Sequence, residues 1–345
     1  MSQFIQLHML TSYPPANLNR DDLGRPKTAV MGGKQRLRVS SQCLKRTWRT
    51  SEIMQEALRG HLGTRTRRMG LELLTRLREK GAEEKQAQEW AGKLAGEFGT
   101  LDKDKLKIKE LFFFTPEERE ALDQLAEHLV QGGGEPSDKD LKELLGKTTS
   151  AVDVAMFGRM MAKHPVYNIE AAVQVAHAIS VHEVAVEEDY FSAVDDLNEG
   201  SEDLGAGHIG EAEFAAGVFY LYACINRDLL VDNLGGDEEL ADQGIRALVE
   251  AMATTAPKGK RASYGSYAYA SYCLAEKGSR QPRSLSVAFL KAVSNRDMLD
   301  GAVKALDEAR QKMDHCYGPC TEASYTLNVA EGSGALPELL DFVTG

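Results

Sequence analysis

Apolar and polar positions alternate from Phe4 to Thr11, predicting a strand that ends where Tyr13-Pro14-Pro15 opens a loop. A second alternation, Lys34-Gln35-Arg36-Leu37-Arg38-Val39, follows the turn-forming pair Gly32-Gly33. It sets Lys34, Arg36 and Arg38 on one face and Leu37 and Val39 on the other. Ser40-Ser41 then reads as the cap of a helix over residues 41–59. From Ala171 to Val186 the pattern alternates again and predicts one strand, with Val173, Val175, His177, Ile179 and Val181 sharing a face. His177, set among aliphatic side chains, reads as a hydrogen-bonded core histidine. Residues 60–150 are rich in Lys, Glu, Leu and Ala and poor in β-branched runs, which predicts a helical insertion with a glycine loop at Gly132–Gly134. These elements give an α+β chain with two insertions, the second containing the glycine-rich stretch Gly200–Gly210.

Charge changes this picture more than composition does. With 345 residues, 43% of them hydrophobic, the chain can bury a substantial core. No apolar run reaches the ~18 residues a bilayer span requires, and no secretory leader is expected. Five scattered cysteines suit the reduced thiols of the cytoplasm. Against a formal net charge of −11, residues 20–49 carry nine basic side chains and two acidic ones. These are Arg20, Arg25, Lys27, Lys34, Arg36, Arg38, Lys45, Arg46 and Arg49, opposed by Asp21 and Asp22. A basic island on an acidic chain is the footprint of a polyanion site. Its order of strand, seryl cap and helix start converges cations and free backbone N–H groups on one locus. No GxxxxGK[ST] loop is present, so consecutive phosphates fit better than one nucleotide. Lys258, Lys260 and Arg261 form a second basic cluster ahead of Tyr264, Tyr267, Tyr269 and Tyr272. The basic residues read as RNA contacts and the tyrosines as mainly structural.

The opposite sign dominates from His164 to Asn226, a stretch with no Lys or Arg and twelve acidic residues. Such an arm either neutralises the basic stripe of its own chain or docks onto a neighbouring copy, head to tail. Little points to catalysis. The Cys316/Cys320 pair lacks the partner pair a zinc site needs. Asp21 or Asp22 beside the stripe leaves open metal-dependent RNA cleavage.

Several blocks resemble one family. Phe4-Ile5-Gln6-Leu7-His8, Leu18-Asn19-Arg20-Asp21-Asp22, Gly32-Gly33-Lys34 and Arg38–Arg46 are similar to the CasC family. So are Val152-Asp153-Val154-Ala155, Gly158-Arg159-Met160, Ala176–Ile179, Phe191–Leu197, Glu213-Phe214 and Gly217–Tyr220. CasC proteins are the repeated backbone subunits of the type I-E CRISPR complex Cascade, within the RAMP superfamily. The resemblance implies an RRM-like (ferredoxin-like) palm from residues 1–59, 166–186 and 215–345. It also implies helical fingers at 60–165 and an extended acidic thumb at 187–214. It further implies a non-catalytic, cofactor-free cytoplasmic protein that polymerises along CRISPR RNA beside other Cascade subunits and presents the guide to target DNA.

On this reading Arg20, Lys27, Lys34, Lys45, Arg46 and Arg49 bind phosphates, joined by Arg36 and Arg38 of the strand. Ser40 and Gln42 hydrogen-bond the RNA. Phe191 with Ser192 displaces bases opposite Val166, and Lys139 and Lys142 face duplex DNA. Related type III subunits cut target RNA with an aspartate in a comparable loop, and a stand-alone RRM-like regulator is the remaining alternative.

Overall fold

The computed structural model describes residues 3–137, 144–146, 148–161, 163–193, 208–294 and 296–345. Its central strand is buried continuously from Ile5 to Thr11, with alternate side chains going to opposite faces. β1 (Phe4–Ala16) lies between β9 (His208–Asn226) and β10 (Ala270–Gly278), antiparallel to both. Odd positions Ile5, Leu7 and Met9 of β1 share one core with Phe219, Leu221 and Ile225 of β9. Leu10, on the other face, shares a second core with Val218, Tyr220, Tyr272 and Leu274. The sheet continues through β11 (Ala323–Asn328) on one side and β7 (Ala178–Ser180), β3 (Lys34–Val39) and β2 (Thr28–Met31) on the other. The order is β11-β10-β1-β9-β7-β3-β2, while β6 (Val173–Val175) and β8 (Glu187–Ala193) pair with separate parts of β9.

Both faces of this sheet are covered. On the first lie α1 (Ser41–Arg49), α2 (Glu52–Ala57), α8 (Glu238–Thr254) and α11 (Leu336–Thr344). They contribute Leu44, Trp48, Met54, Ile245, Leu248 and Leu339 to the first core. On the second lie a short turn, Ser286–Phe289, and the long α10 (Met298–Tyr317), which bring Leu285, Phe289, Ala302 and Leu306. The first core also receives α6 (Val152–Phe157) and α7 (Arg227–Asn233) through Val152, Ala155 and Leu230. A separate core joins α3 (Met69–Glu79), α4 (Glu84–Phe98) and α5 (Pro116–His128) through Leu73, Leu77, Trp90, Leu94 and Leu122. A ribbon of β4 (Thr64–Thr66) and β5 (Phe112–Phe114), which the sequence pattern does not predict, completes it. Arg159 fastens this unit: buried Glu118 of α5 accepts two bonds from its Nη1 at 2.7 and 2.8 Å, and Phe113 O a third at 3.1 Å.

Two expected elements are divided. The helix over 41–59 breaks after Thr50, where Ser51 Oγ accepts from Met54 N (3.2 Å) and starts α2 afresh. The strand expected over 171–186 is two three-residue strands, β6 and β7, interrupted at Ala176-His177. The interruption shifts the side-chain phase, so Ala178 and Ser180 are buried while His177 is exposed. His177 is therefore not a core histidine.

A polar cluster seals the second face. Glu276 of β10 has no solvent contact and faces His8 Nε2 (3.3 Å), Arg283 Nη1 (2.7 Å) and Arg310 Nε (2.8 Å). His8 Nδ1 meets the Tyr220 hydroxyl at 2.9 Å, which also accepts from Leu285 N at 3.1 Å. Gln6 Oε1 accepts from Arg283 N at 2.7 Å. Burial alone would raise the Glu276 pKa, but the hydrogen bonds and charges of His8 and Arg283 outweigh it and hold the carboxyl far below the usual range. Burial lowers the His8 pKa, against the pull of Glu276.

A depressed histidine pKa means that the unfolded chain takes up the proton first. The His8 contribution is whole above the unfolded value near 6.5 and is lost as the pH falls below it. Glu276 adds a loss of the same sign at lower pH. Stability, measured by urea unfolding between pH 7.5 and 5, should fall with a slope of at most about 1.4 kcal/mol per pH unit from this histidine. His8→Gln should flatten that slope; an unchanged slope would show that His8 is not the titrating group.

Candidate nucleic-acid interface

Three separate segments meet in one cleft of about 490 Å³. The loop after β1 supplies Arg20, Asp21 and Asp22, α1 supplies Cys43, Arg46 and Thr47, and the loop after α8 supplies Lys258 and Gly259. The third segment is wedged in place. A Cβ on Gly259 would come within 2.2 Å of Leu18 O, so only glycine permits this approach. Lys258 Nζ also reaches Thr50 O at 3.4 Å. Arg20, Arg46 and Lys258 enter no ion pair among the described residues, and against the carboxylates of Asp21 and Asp22 on the same lining they leave the cleft a small excess of positive charge.

Asp21 shapes the wall of the cleft. Its Oδ1 accepts from Leu23 N (2.9 Å) and Arg25 N (2.8 Å), an Asx-type turn that closes the loop. Asn17 Nδ2 braces the same loop by donating to Gly24 O at 2.9 Å and Glu213 O at 3.0 Å. Asp22 is exposed on the cleft.

At the start of α1, Ser40 Oγ accepts from Cys43 N (3.4 Å) and Ser40 N donates to Asn19 Oδ1 (2.9 Å). Ser40 is thus buried and caps its own helix, its hydroxyl oxygen accepting within the chain. The exposed His177 takes up the next N–H, accepting from Ser41 N at its Nδ1 (3.1 Å). Its pKa is lowered by desolvation and by the nearby charges of Arg38 and Lys27. Lys27 and Arg38 line one slot together, and Gln42 lies exposed on the first turn. This histidine escaped the sequence reading because unbroken alternation hid the interruption between β6 and β7.

The stripe divides further. Arg36 is fully buried, its Nη1 donating to Ser180 O (3.0 Å) and its Nη2 to Phe289 O (3.1 Å). It ties β3 to β7 and to the cover of the second face, and it does not reach the surface as expected. Arg49 is largely enclosed, pairing with Asp153 Oδ2 at 3.4 Å and lying over the Phe113 ring at 5.1 Å. Its expected phosphate role gives way to a bracing one, because Asp153 also accepts from Gly63 N (2.7 Å) at the entry to the helical unit. Lys45 is half-buried over the Phe157 ring at 5.4 Å, and burial lowers its pKa. Lys34 pairs with Glu183 (2.9 Å) and Arg25 with Glu213 (3.1 Å).

One cation is new. Arg65 of β4 is exposed and lies over the Phe113 ring at 5.3 Å, on the ring that Arg49 also contacts. Desolvation, then Arg49 and Arg46, push its pKa down, which places all three arginines in one neighbourhood. The run Thr64-Arg65-Thr66-Arg67-Arg68 was the available signal.

Elsewhere, β8 and β9 form a ribbon in which every β8 residue is exposed. Phe191 faces Gly210 across it and is 42% exposed; Ser192 faces Ile209. Val166 is 61% exposed on the turn Pro165–Tyr167, whose Tyr167 packs on the helical core. Lys260 holds a left-handed backbone (φ 43°), and Arg261 lies 4.8 Å from the Tyr267 ring centre. Tyr272 is buried, but Tyr267 and Tyr269 are 71% exposed, so these two are not the strand filling the sequence suggested. Lys139 and Lys142, with Asp195 and Asp196, lie outside the described residues. No group of three or more metal-ligating side chains gathers among the described residues. Cys316 is exposed while Cys320 is buried, its Sγ directed to Gln281 O at 3.5 Å. Among the described residues no helix is long and apolar enough to cross a membrane.

The fold is similar to that of chains in known assemblies. A chain of a "CRISPR RNA-guided surveillance complex, pre-nicking" is 30% identical, with a TM-score of 0.85 over 99% of each chain. A chain of a "CRISPR RNA-guided surveillance complex" is 25% identical, with a TM-score of 0.63 over 99% of this chain and 98% of the other. The fold is therefore that of subunits of RNA-guided surveillance complexes. No curated protein matches the chain. The chain belongs to the CT1975-like protein family, whose model matches residues 5–339.

Arg36→Ala should lower the unfolding free energy by about 3 kcal/mol, since it strands two buried carbonyls and opens a cavity. It should leave the salt dependence of binding to a single-stranded oligonucleotide unchanged. A variant that keeps its stability but loses salt-dependent binding would return Arg36 to the surface role.

Proposed function

We propose that the chain is a non-catalytic backbone subunit of a type I-E Cascade complex, gripping CRISPR RNA by its phosphates and repeating along it. The observation that carries this reading is the convergence of Arg20, Arg46 and Lys258, from three distant segments, in a cleft free of ion pairs among the described residues. Three cations in one groove suit a tracked polyanion, since phosphate contacts position a protein on RNA without reading sequence. Lys27, Arg38 and Gln42 extend the path along the start of α1.

The connectivity β1, α1, β6 and β7, β9, α8, β10, with strand order β10-β1-β9-β7, supports reading the sheet as an RRM-like palm. The helical unit would serve as fingers and the β8–β9 ribbon as the thumb, with Phe191 and Ser192 as its base-displacing contact. An RRM-like regulator that reads bases across its sheet is disfavoured, because here both sheet faces are packed. Cleavage through Asp21 is disfavoured by the use of its Oδ1 in the loop turn; Asp22, exposed on the cleft, is the residue through which the alternative of metal-dependent cleavage stands. The acidic ribbon offers a neighbouring copy a complementary surface, and other Cascade subunits and target DNA, reached through the guide, complete the partners.

The RNA that co-purifies with the chain should carry CRISPR repeat and spacer sequence when the locus is co-expressed, in multimers that dissociate with salt. Arg46→Ala and Lys258→Ala should each reduce the slope of log affinity against log salt by roughly 0.7. Slopes equal to that of the unaltered chain, or one protomer per RNA with strong base preference, would sink the proposal.

A further inference from the structure

The loop that closes the cleft continues into a feature that phosphate binding leaves unexplained. Lys258 and Gly259 line the cleft, and the chain then makes the single turn α9 (Arg261–Tyr264). Its two ends are fixed in unusual backbone: Lys260 at φ 43° and Gly265 at φ 58°. A lysine held left-handed is strained and persists only where its surroundings over-determine it. Those surroundings are visible. Gly259 is wedged against Leu18, Tyr264 packs on Phe214 at the root of the β8–β9 ribbon (5.9 Å), and Ser266 is fully buried. The loop is thus anchored before, within and after the turn.

What it presents is aromatic. Burial alternates after Gly265, with Ser266 inside and Tyr267 and Tyr269 outside, so both rings emerge from one side of the segment. Each is 71% exposed, and the Arg261 guanidinium stands over the Tyr267 ring at 4.8 Å. One exposed tyrosine needs no explanation. Two on an anchored loop whose start, Lys258-Gly259, lines the basic cleft, one of them backed by a cation, form a stacking platform. A flat, electron-rich ring with a guanidinium behind it suits a nucleobase, and the cleft supplies the sites for its phosphates.

We propose that Tyr267, backed by Arg261, and Tyr269 form a base-stacking step for single-stranded RNA whose phosphates occupy the Arg20, Arg46 and Lys258 cleft. This rests on the RNA-binding reading given above and adds to it a contact to the bases, one that is tolerant of sequence because every base offers a π face.

The test uses the full chain and a fluorescein-labelled 30-nucleotide oligoadenylate, beside an abasic ribose-phosphate oligomer of equal length. Tyr267→Ala/Tyr269→Ala should weaken oligoadenylate binding roughly 10-fold or more while leaving its salt slope unchanged. Tyr267→Phe/Tyr269→Phe should stay within about 3-fold of the unaltered chain, because stacking needs the ring and not the hydroxyl. The abasic oligomer should bind the alanine variant and the unaltered chain alike.

The proposal is overturned if the alanine variant binds oligoadenylate normally while Arg46→Ala/Lys258→Ala does not. That result would leave the phosphate cleft standing. Equal losses on the abasic oligomer would also overturn it, showing that the tyrosines support the loop. So would a loss confined to self-association in sedimentation, which would assign the rings to a neighbouring copy. If the unaltered chain binds neither oligomer, the underlying RNA reading fails together with this one.

Discussion

The carboxylate of Glu276 is the constraint on which the architecture rests. It is shut away from water and held by Arg283, Arg310 and His8, which come from the segment after β10, from α10 and from β1. A buried charge stripped of its partners costs several kcal/mol, so lifting the cover from the sheet would expose a heavy penalty along with the apolar contacts. The hydrogen bonds from Arg283 N to Gln6 and from Leu285 N to Tyr220 fix the register of that cover. The second face of the sheet is consequently closed. Any extended ligand is displaced to the edge, where the loops after β1 and α8 meet α1.

That displacement explains why the basic stripe is not one surface. Nine cations in thirty residues repel one another, and the fold resolves this by separating their tasks. Arg36 goes inward and gives its guanidinium to two backbone carbonyls; Arg49 braces Asp153 and stacks on Phe113. With these two removed, Arg20, Arg46 and Lys258 hold the cleft, and Lys27 and Arg38 the start of the helix. An arginine is suited to either task, because its weakly hydrated planar fork satisfies carbonyls in a core as well as phosphates outside one. Charge counting along the chain cannot separate the two.

The same limit governs how much of the fold was legible. Alternation found β3, the cap at Ser40 and the first part of β1, which runs on through Tyr13-Pro14-Pro15 to Ala16 where a loop was expected. It could not tell whether a polar face meets water or another layer. Gln6, His8 and Glu276 look like solvent-facing positions, yet the cover formed by Ser286–Phe289 and α10 encloses them. Arg36 was misplaced for the same reason. Alternation also ran unbroken through Ala176-His177, where the backbone interrupts the strand and delivers His177 to the helix start. Of the site, Arg20 and Arg46 could be found from local charge. The meeting with Lys258 could not, because it depends on a glycine contact made across more than two hundred residues.

The acidic arm acquires a more defined place once the stripe is divided. Two of its carboxylates are already used within the chain, Glu183 on Lys34 and Glu213 on Arg25. Lys34–Glu183 is exposed on both sides and contributes little, about 1 kcal/mol at most, while in Arg25–Glu213 the arginine is the exposed member; on the proposed reading each cation could exchange its partner for one on another copy. Neither carboxylate occupies Arg20, Arg46 or Lys258. On that reading, phosphates and acidic side chains would not compete for the same cations: the cleft would be left to RNA, and the outer members of the stripe to an acidic ribbon. A filament built this way would weaken with salt at both contacts, but for separable reasons, since altering the outer cations would leave the cleft intact.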